Sequence, residues 1–220
     1  MAIRFLLVPS FAVSLLLVTL GSTLNAQQYP GWGDLVDPVG DCPVDILPDG
    51  IELTIPAGIH QLNPTMETVN APRVWQSVEG DFLFEVRVKD FPRPEKDSGA
   101  NGNRSYVAAG VVLWQDENNF LRWTRSASAE KNAVYLSCEQ FENGKHVGGG
   151  YFRMKDEPIW LRLERRENTL RMSASDDGKK WQQAIERDCT YPTSLKAGVF
   201  GLNVTENKYQ FRFSHQYLLK

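Results

Sequence analysis

Cysteine and histidine are scarce in this chain, with three of each among 220 residues. Cys42, Cys138 and Cys189 leave one thiol over whatever the pairing. His60, His146 and His215 are scattered, and no His/Cys pair has the spacing of a zinc-ligand motif. Basic residues form no block: 24 Lys and Arg are interspersed with 27 Asp and Glu, for a net charge of -3. Phosphate backbones call for clustered Lys and Arg, so the composition argues against a nucleic-acid partner. After the first residues no apolar run approaches the ~20 residues of a membrane-spanning helix. No later segment sustains a helical period, which removes helical and mixed folds from consideration.

What is present begins with a leader. Arg4 precedes an almost wholly apolar stretch from Phe5 to Leu20, and Ser22 to Ala26 is small or polar. A charged start, an apolar middle and a small-residue exit read as a secretory signal over 1–26; an uncleaved anchor is the rival reading. Residues 27–220 then form a single domain, secreted or periplasmic, with no stable membrane span after cleavage. An oxidising compartment admits a disulfide. Cys138 alternates with Val134 and Leu136 and reads as a buried, inert thiol. Cys42 and Cys189 sit in loop-like contexts near the two ends of the domain, and the sequence leaves open whether they bridge.

From residue 50 onward apolar residues recur with period two. Ile51, Leu53 and Ile55 form one set, and Phe82, Phe84, Val86 and Val88 another. Val134 to Cys138, Leu161 to Leu163, Leu170 to Ala174 and Tyr209 to Tyr217 repeat the pattern. Turn residues such as Asn143-Gly144 and Asp177-Gly178 separate these runs every ~8–12 residues, the signature of an all-β sandwich or barrel. Tyr29 to Pro48 reads as an ordered lead-in, and Pro92 to Ser105 as a long loop.

The stretch GVVLWQDENNFLRWTRS (Gly110 to Ser126) predicts a hairpin closed by a two-residue loop, Glu117-Asn118, or a four-residue loop, Asp116 to Asn119, which give the same register. In regular register Trp114 faces Leu121, and Val112 faces Trp123. Directly opposed residues share a face. Val112, Trp114, Leu121 and Trp123 therefore form the expected core face, and Gln115 and Arg122 point the other way. The non-core faces of neighbouring strands carry Tyr135 and Glu139, then Trp160, Arg162 and Glu164. If these strands share a sheet, that side suits a sugar: rings stack on the apolar side of a pyranose and charged planar groups bond its hydroxyls. The competing reading is a solvated face with Arg–Glu pairs contributing ~0.2–1 kcal/mol each.

Taken in order, WGDLVDPVGDC (Trp32 to Cys42), NAPRVWQSVEGDFLFEVRV (Asn70 to Val88), AGVVLWQDENNFLRW (Ala109 to Trp123), WLRLERRENTLRMSASDDGKKW (Trp160 to Trp181) and AGVFGLNV (Ala197 to Val204) resemble a bacterial family of unknown function. That family has a concanavalin A-like lectin/glucanase fold and is sometimes labelled "regulation of enolase". The resemblance implies an all-β, concanavalin A-like jelly-roll sandwich of two antiparallel sheets, one of them concave. Related domains occur in lectins, in sugar hydrolases and as accessory modules of glycosidases. It supplies no catalytic or ligand residue, so the site is argued from the residues themselves.

The expected function is non-catalytic carbohydrate binding through the concave face of one sheet. The expected contacts are Gln115, Arg122, Tyr135, Glu139, Trp160 and Arg162. One alternative is a glycoside hydrolase or lyase using paired carboxylates. Glu139-Gln140-Phe141-Glu142 lacks the central Asp of the glucanase pattern, which leaves Glu139 and Glu164 to meet across strands. The other alternative is a protein-interaction module of the cell envelope. Ser175 to Trp181 reads as a structural Asp-turn with the tryptophan packed beneath it. No cofactor is expected, with calcium the exception: Asp34, Asp37, Asp41, Asp45 and Asp49 form an oxygen-rich run without EF-hand spacing. The sequence names neither the glycan nor the oligomeric state.

Overall fold

The computed structural model describes residues 27–89 and 91–220. The leader, and the choice between a cleaved signal and an anchor, lie outside the described residues. Among the described residues no helix is long and apolar enough to cross a membrane.

Strands account for nearly all of the regular structure. In chain order they are β1 (Gln28–Tyr29), β2 (Gly33–Val36), β3 (Val44–Leu47), β4 (Gly50–Ile55), β5 (Gly58–His60), β6 (Leu62–Asn63), β7 (Thr68–Val69), β8 (Arg73–Glu79) and β9 (Phe82–Val88). The second half supplies β10 (Tyr106–Asp116), β11 (Asn119–Ser128), β12 (Ala133–Glu142), β13 (Lys145–Arg153), β14 (Ile159–Arg166), β15 (Thr169–Ser175), β16 (Gln182–Asp188), β17 (Ser194–Thr205) and β18 (Tyr209–Leu219). Short 3-10 turns occupy Pro64–Met66 and Ala100–Gly102.

Two large antiparallel sheets pack face to face as a concanavalin A-like jelly roll. The first has nine strands in the order β1-β2-β8-β17-β10-β11-β12-β13, with β5 also paired to β17. The second has seven in the order β16-β15-β14-β9-β18-β4-β3. The period-two runs explain the sandwich, because alternate side chains leave opposite faces of a strand. Phe84, Val86, Leu161, Leu163, Phe211 and Phe213 from the seven-stranded sheet meet Val74, Val111, Leu113, Leu121, Trp123 and Val199 from the nine-stranded one in a continuous buried core. Trp123 spans the gap, and its indole N–H donates to the Ser173 carbonyl of β15 at 3.0 Å. A buried indole needs such an acceptor.

The lead-in from Tyr29 to Pro48 is ordered, as expected, and holds β2 and β3 with the end of β1. β2 adds to the nine-stranded sheet and β3 edges the seven-stranded one, so the chain crosses between sheets over residues 37–43. The Pro92–Ser105 loop is tied down by a Gly99–Thr205 bridge and by the Glu206 N–H donating to the Ser98 carbonyl at 2.7 Å. β13 escaped the period-two reading because its Gly148-Gly149-Gly150 run carries no side chains to alternate. Its hairpin with β12 turns on Asn143 and Gly144, with φ of 50° and 74°, as a tight two-residue turn demands. All three cysteines are buried and unbridged. The Cys42–Cys189 pair left open by the sequence is therefore not formed: Cys42 donates to Asp41, and the Cys189 thiol faces the Tyr191 carbonyl. Burial pushes the Cys138 thiol up to about 12, which matches the inert role expected of it.

Candidate functional site

The β10–β11 hairpin closes at Glu117-Asn118 as expected, but its register differs. Trp114 pairs with Phe120, Val112 with Arg122 and Val111 with Trp123, because Gln115 is an extra residue before the Asp116–Asn119 closing pair. One inserted residue exchanges the faces of everything beyond it on that strand. Trp123 is core, as expected. Trp114 is not part of the inter-sheet core and instead shares the outer face with Phe120 and Arg122.

That outer face holds a second apolar cluster. Trp75, Trp114, Phe120 and Phe141 run across it, with ring centroids 5.4, 4.9 and 4.8 Å apart in succession. Trp75 and Trp114 meet over β17 because Gly198 lies between them; a Cβ there would come within 2.6 Å of the Trp75 Cβ. Leu62, Val69 and Ala71 cover the middle of the face. They belong to a strap over residues 61–71, closed by β6–β7 pairing and by Asn70, which bonds Gln61 and Ile59 through its side chain.

Arg122 fastens the strap. Its Nε donates to Glu139 Oε2 at 2.5 Å, its Nη2 donates to the same oxygen, and its Nη1 donates to the Leu62 carbonyl at 2.8 Å. The Arg122 side chain is only 6% exposed. Arg122 and Glu139 thus share a face with Tyr135, as expected, but they are engaged with the chain itself. Tyr135 lies toward the Tyr106 end of that face, edge-on to Tyr151 at 5.6 Å, with the Lys131 ammonium beside both rings.

Trp160 and Arg162 lie elsewhere. They project from β14 on the outer face of the seven-stranded sheet, so the single groove expected of the six residues is not formed. The strand-to-sheet assignment decides this, since β14 pairs with β9 and β15 rather than with β12. Arg162 donates to Glu85 at 2.8 Å and stacks on Trp181 at 3.8 Å. Glu164 is on that sheet too, so the full thickness of the sandwich separates it from Glu139 and the two carboxylates make no catalytic pair. The Asp-turn is structural: Asp177 accepts from the Ser175 hydroxyl and from the Lys179 and Lys180 amides at 2.8–3.0 Å, which hold its carboxyl down to about 2. The indole beside Gly178 is Trp160, not Trp181 as expected.

Gln115 leads to a cleft that the sequence did not reveal. About 770 Å³ in volume and open to solvent, it is lined by Arg73, Trp75, Trp114, Gln115, Asp116, Glu117, Asn118, Asn119 and Asn143. Two hairpin turns form its wall and are laced together. Asn118 O accepts from the Gly144 amide at 3.0 Å, and Asn119 Oδ1 accepts from the Asn143 amide at 2.9 Å. The floor is Arg73, whose guanidinium carbon lies 4.8 Å from the Trp75 ring and 4.4 Å from the Trp114 ring. Arg73 is 5% exposed and its Nη1 donates to the Ala71 carbonyl, but its buried Nε has no partner. Burial pulls the guanidinium down to about 10, offset in part by Glu117. Alternation in Arg73-Val74-Trp75 was the available signal, since an inward Val74 sends both neighbours outward.

The acidic run divides between the sheets, with Asp49 paired to Lys89 at 3.3 Å. At the crossing between sheets Asp41 meets Cys42 and His60. His60 Nε2 lies 3.1 Å from Asp41 Oδ1, and the Cys42 thiol lies 3.2 Å from the same oxygen. Burial, followed by the Asp41 and Asp37 carboxylates, pushes that thiol well above the ordinary cysteine range.

Residues 100–201 match the beta xylosidase C-terminal concanavalin A-like domain family. No curated protein sequence matches the chain. Among solved structures, a functionally unknown protein from Saccharomyces cerevisiae is similar over 86% of this chain and 96% of its own, at 17% identity and a TM-score of 0.68. The GH43 protein BlXynB from Bacillus licheniformis is 15% identical with a TM-score of 0.57, over 76% of this chain and 32% of that one. A Bacillus licheniformis beta-glucanase is 9% identical with a TM-score of 0.53, over 80% and 82%. This chain therefore spans about a third of the GH43 protein, and these likenesses establish the fold.

Proposed function

We propose that the protein is a secreted, non-catalytic carbohydrate-binding domain whose site is the Gln115 cleft on the outer face of the nine-stranded sheet. The observation that carries this reading is Arg73, a buried cation lying over two indoles with an unspent N–H, at the floor of an open cleft walled by amides. Sugar recognition needs an apolar edge for the pyranose ring and fixed donors and acceptors for its hydroxyls. Trp75 and Trp114 supply the first; Gln115, Asn118, Asn143 and Asp116 supply the second. The laced turns keep these groups in place before binding, which lowers the ordering cost. The leader composition supports secretion. The ordered motifs from Trp32 to Val204 support kinship with the bacterial family described above.

A glycan array followed by calorimetric titration tests this. Saturable binding is expected, weakened at least about tenfold, or ~1.4 kcal/mol, by Gln115→Ala and Asn118→Ala, with unfolding midpoints unchanged. Trp160→Ala on the other sheet is expected to bind as the parent does. Binding lost in Trp160→Ala and retained in both cleft variants, or no glycan bound at all, overturns the assignment.

A further inference from the structure

We propose that Asp41, Cys42 and His60, with Asp37 beside them, bind a single divalent ion of borderline softness, for which zinc is the best fit. One donor atom from each of the first three lies within 4.8 Å of the others. Nε2 to Oδ1 is 3.1 Å and Sγ to Oδ1 is 3.2 Å. A tetrahedral zinc with bonds of ~2.0–2.3 Å needs ligand–ligand edges of roughly 3.3–3.8 Å: the two edges on Asp41 Oδ1 open slightly, and the Nε2–Sγ edge, which lies within 4.8 Å, adjusts to match.

The surroundings also point to a cation. Among the described residues neither Asp37 nor Asp41 pairs with Lys or Arg. The Asp37 Oδ1 atom is buried with no hydrogen-bond partner, although its Oδ2 accepts the Cys42 amide at 2.7 Å. His60 has a side chain only 5% exposed, sends Nε2 into the cluster and leaves Nδ1 without a partner. Buried polar atoms are seldom left unmatched. Two carboxylates around a thiol and an imidazole make an electronegative corner with no positive charge of its own beyond what His60 can carry.

The donor set selects the ion. Calcium prefers six to eight oxygens, whereas thiolate with imidazole favours zinc and its soft neighbours. On binding, the Cys42 thiol gives its proton to solvent and the neutral His60 ring offers Nε2. The Cys42 thiolate and the Asp41 carboxylate then offset the 2+ charge, and Asp37 leaves the occupied corner with one net negative charge. Asp41 is 43% exposed and opens the corner to solvent. Water or Asp37 Oδ1 completes the coordination.

The test is metal binding by the purified protein after chelator treatment. Zinc competition against a chromophoric chelator is expected to give one equivalent per chain. Cobalt loading is expected to produce a thiolate-to-metal charge-transfer band in the near ultraviolet. Cys42→Ser, which keeps a hydrogen-bonding group in place, should lose zinc affinity by more than about 100-fold, beyond the 10–100-fold cost of an outer-shell partner; His60→Gln should do the same. Zinc should raise the unfolding temperature of the parent and not of either variant, and the circular dichroism of each variant reports its folding. Less than one equivalent bound, no thiolate band, or unchanged affinity in folded Cys42→Ser overturns the proposal. So does calcium binding that is as tight as zinc binding and indifferent to Cys42.

Discussion

Arg122 and Glu139 stand opposite each other on β11 and β12, and the same guanidinium holds the Leu62 carbonyl of the strap that crosses the sheet. Removing one member of a buried ion pair strands the other, at a cost of about 3–5 kcal/mol. Because the Glu139 side chain keeps 17% exposure, the low end of that range is expected for Glu139→Ala. Chemical denaturation measures it, and a loss below about 1 kcal/mol refutes the bracing role.

Trp123 carries both packing and a hydrogen bond across the sandwich. Trp123→Phe leaves the Ser173 carbonyl without its donor and creates a small void, so a loss of about 1–3 kcal/mol is expected. The same change at Trp160, on the outer face of the second sheet, should cost less than half of that. Equal losses at the two sites contradict the assigned sidedness.

Acid stability should depend on Asp177. Its carboxyl titrates near 2 in the folded chain against 3.8 ordinarily. A depressed carboxylate contributes its stability in full above the unfolded value and loses it as pH falls through the folded one. Asp177→Asn is therefore expected to flatten the decline in stability between about pH 4 and pH 2, read from thermal melts across that range. An unchanged acid limb means that the turn bonds do not hold the carboxylate.

Gly178 has φ of +70°, and a Cβ placed on it would sit 2.8 Å from Trp160 Cε2. Gly178→Ala combines backbone strain with a clash, and a loss of more than about 1 kcal/mol is expected. A neutral result in thermal denaturation shows that the turn relaxes around the methyl group.

The three thiols should behave as free but shielded groups. A thiol reagent is expected to react with none in the native protein and with all three in denaturant, without prior reduction. A single reactive thiol after unfolding reveals a bridge and contradicts the arrangement of Cys42 and Cys189.

Much of the framework could be read along the chain, because a strand that hides one face must repeat every second residue. Phe82 to Val88, Leu161 to Leu163 and Leu170 to Ala174 announced themselves this way, and each proved to face the core. The same rule failed between Trp114 and Asp116. Nothing in the letters marks Gln115 as the extra residue of a bulge, and a single insertion reverses the faces beyond it. Zinc-ligand spacing was absent from the sequence for a related reason: Cys42 and His60 are eighteen positions apart and meet only because the chain changes sheets between β2 and β3.

Local patterning by itself determined that this protein is an all-β sandwich or barrel, since alternation and turn chemistry act between near neighbours in the chain; the two antiparallel sheets came only from the family resemblance. Only the tertiary structure decided which strands share a sheet, and therefore that Trp160 and Arg162 face away from Arg122, Tyr135 and Glu139. Strand pairing over long separations depends on how whole faces complement one another, and no window of sequence contains both partners.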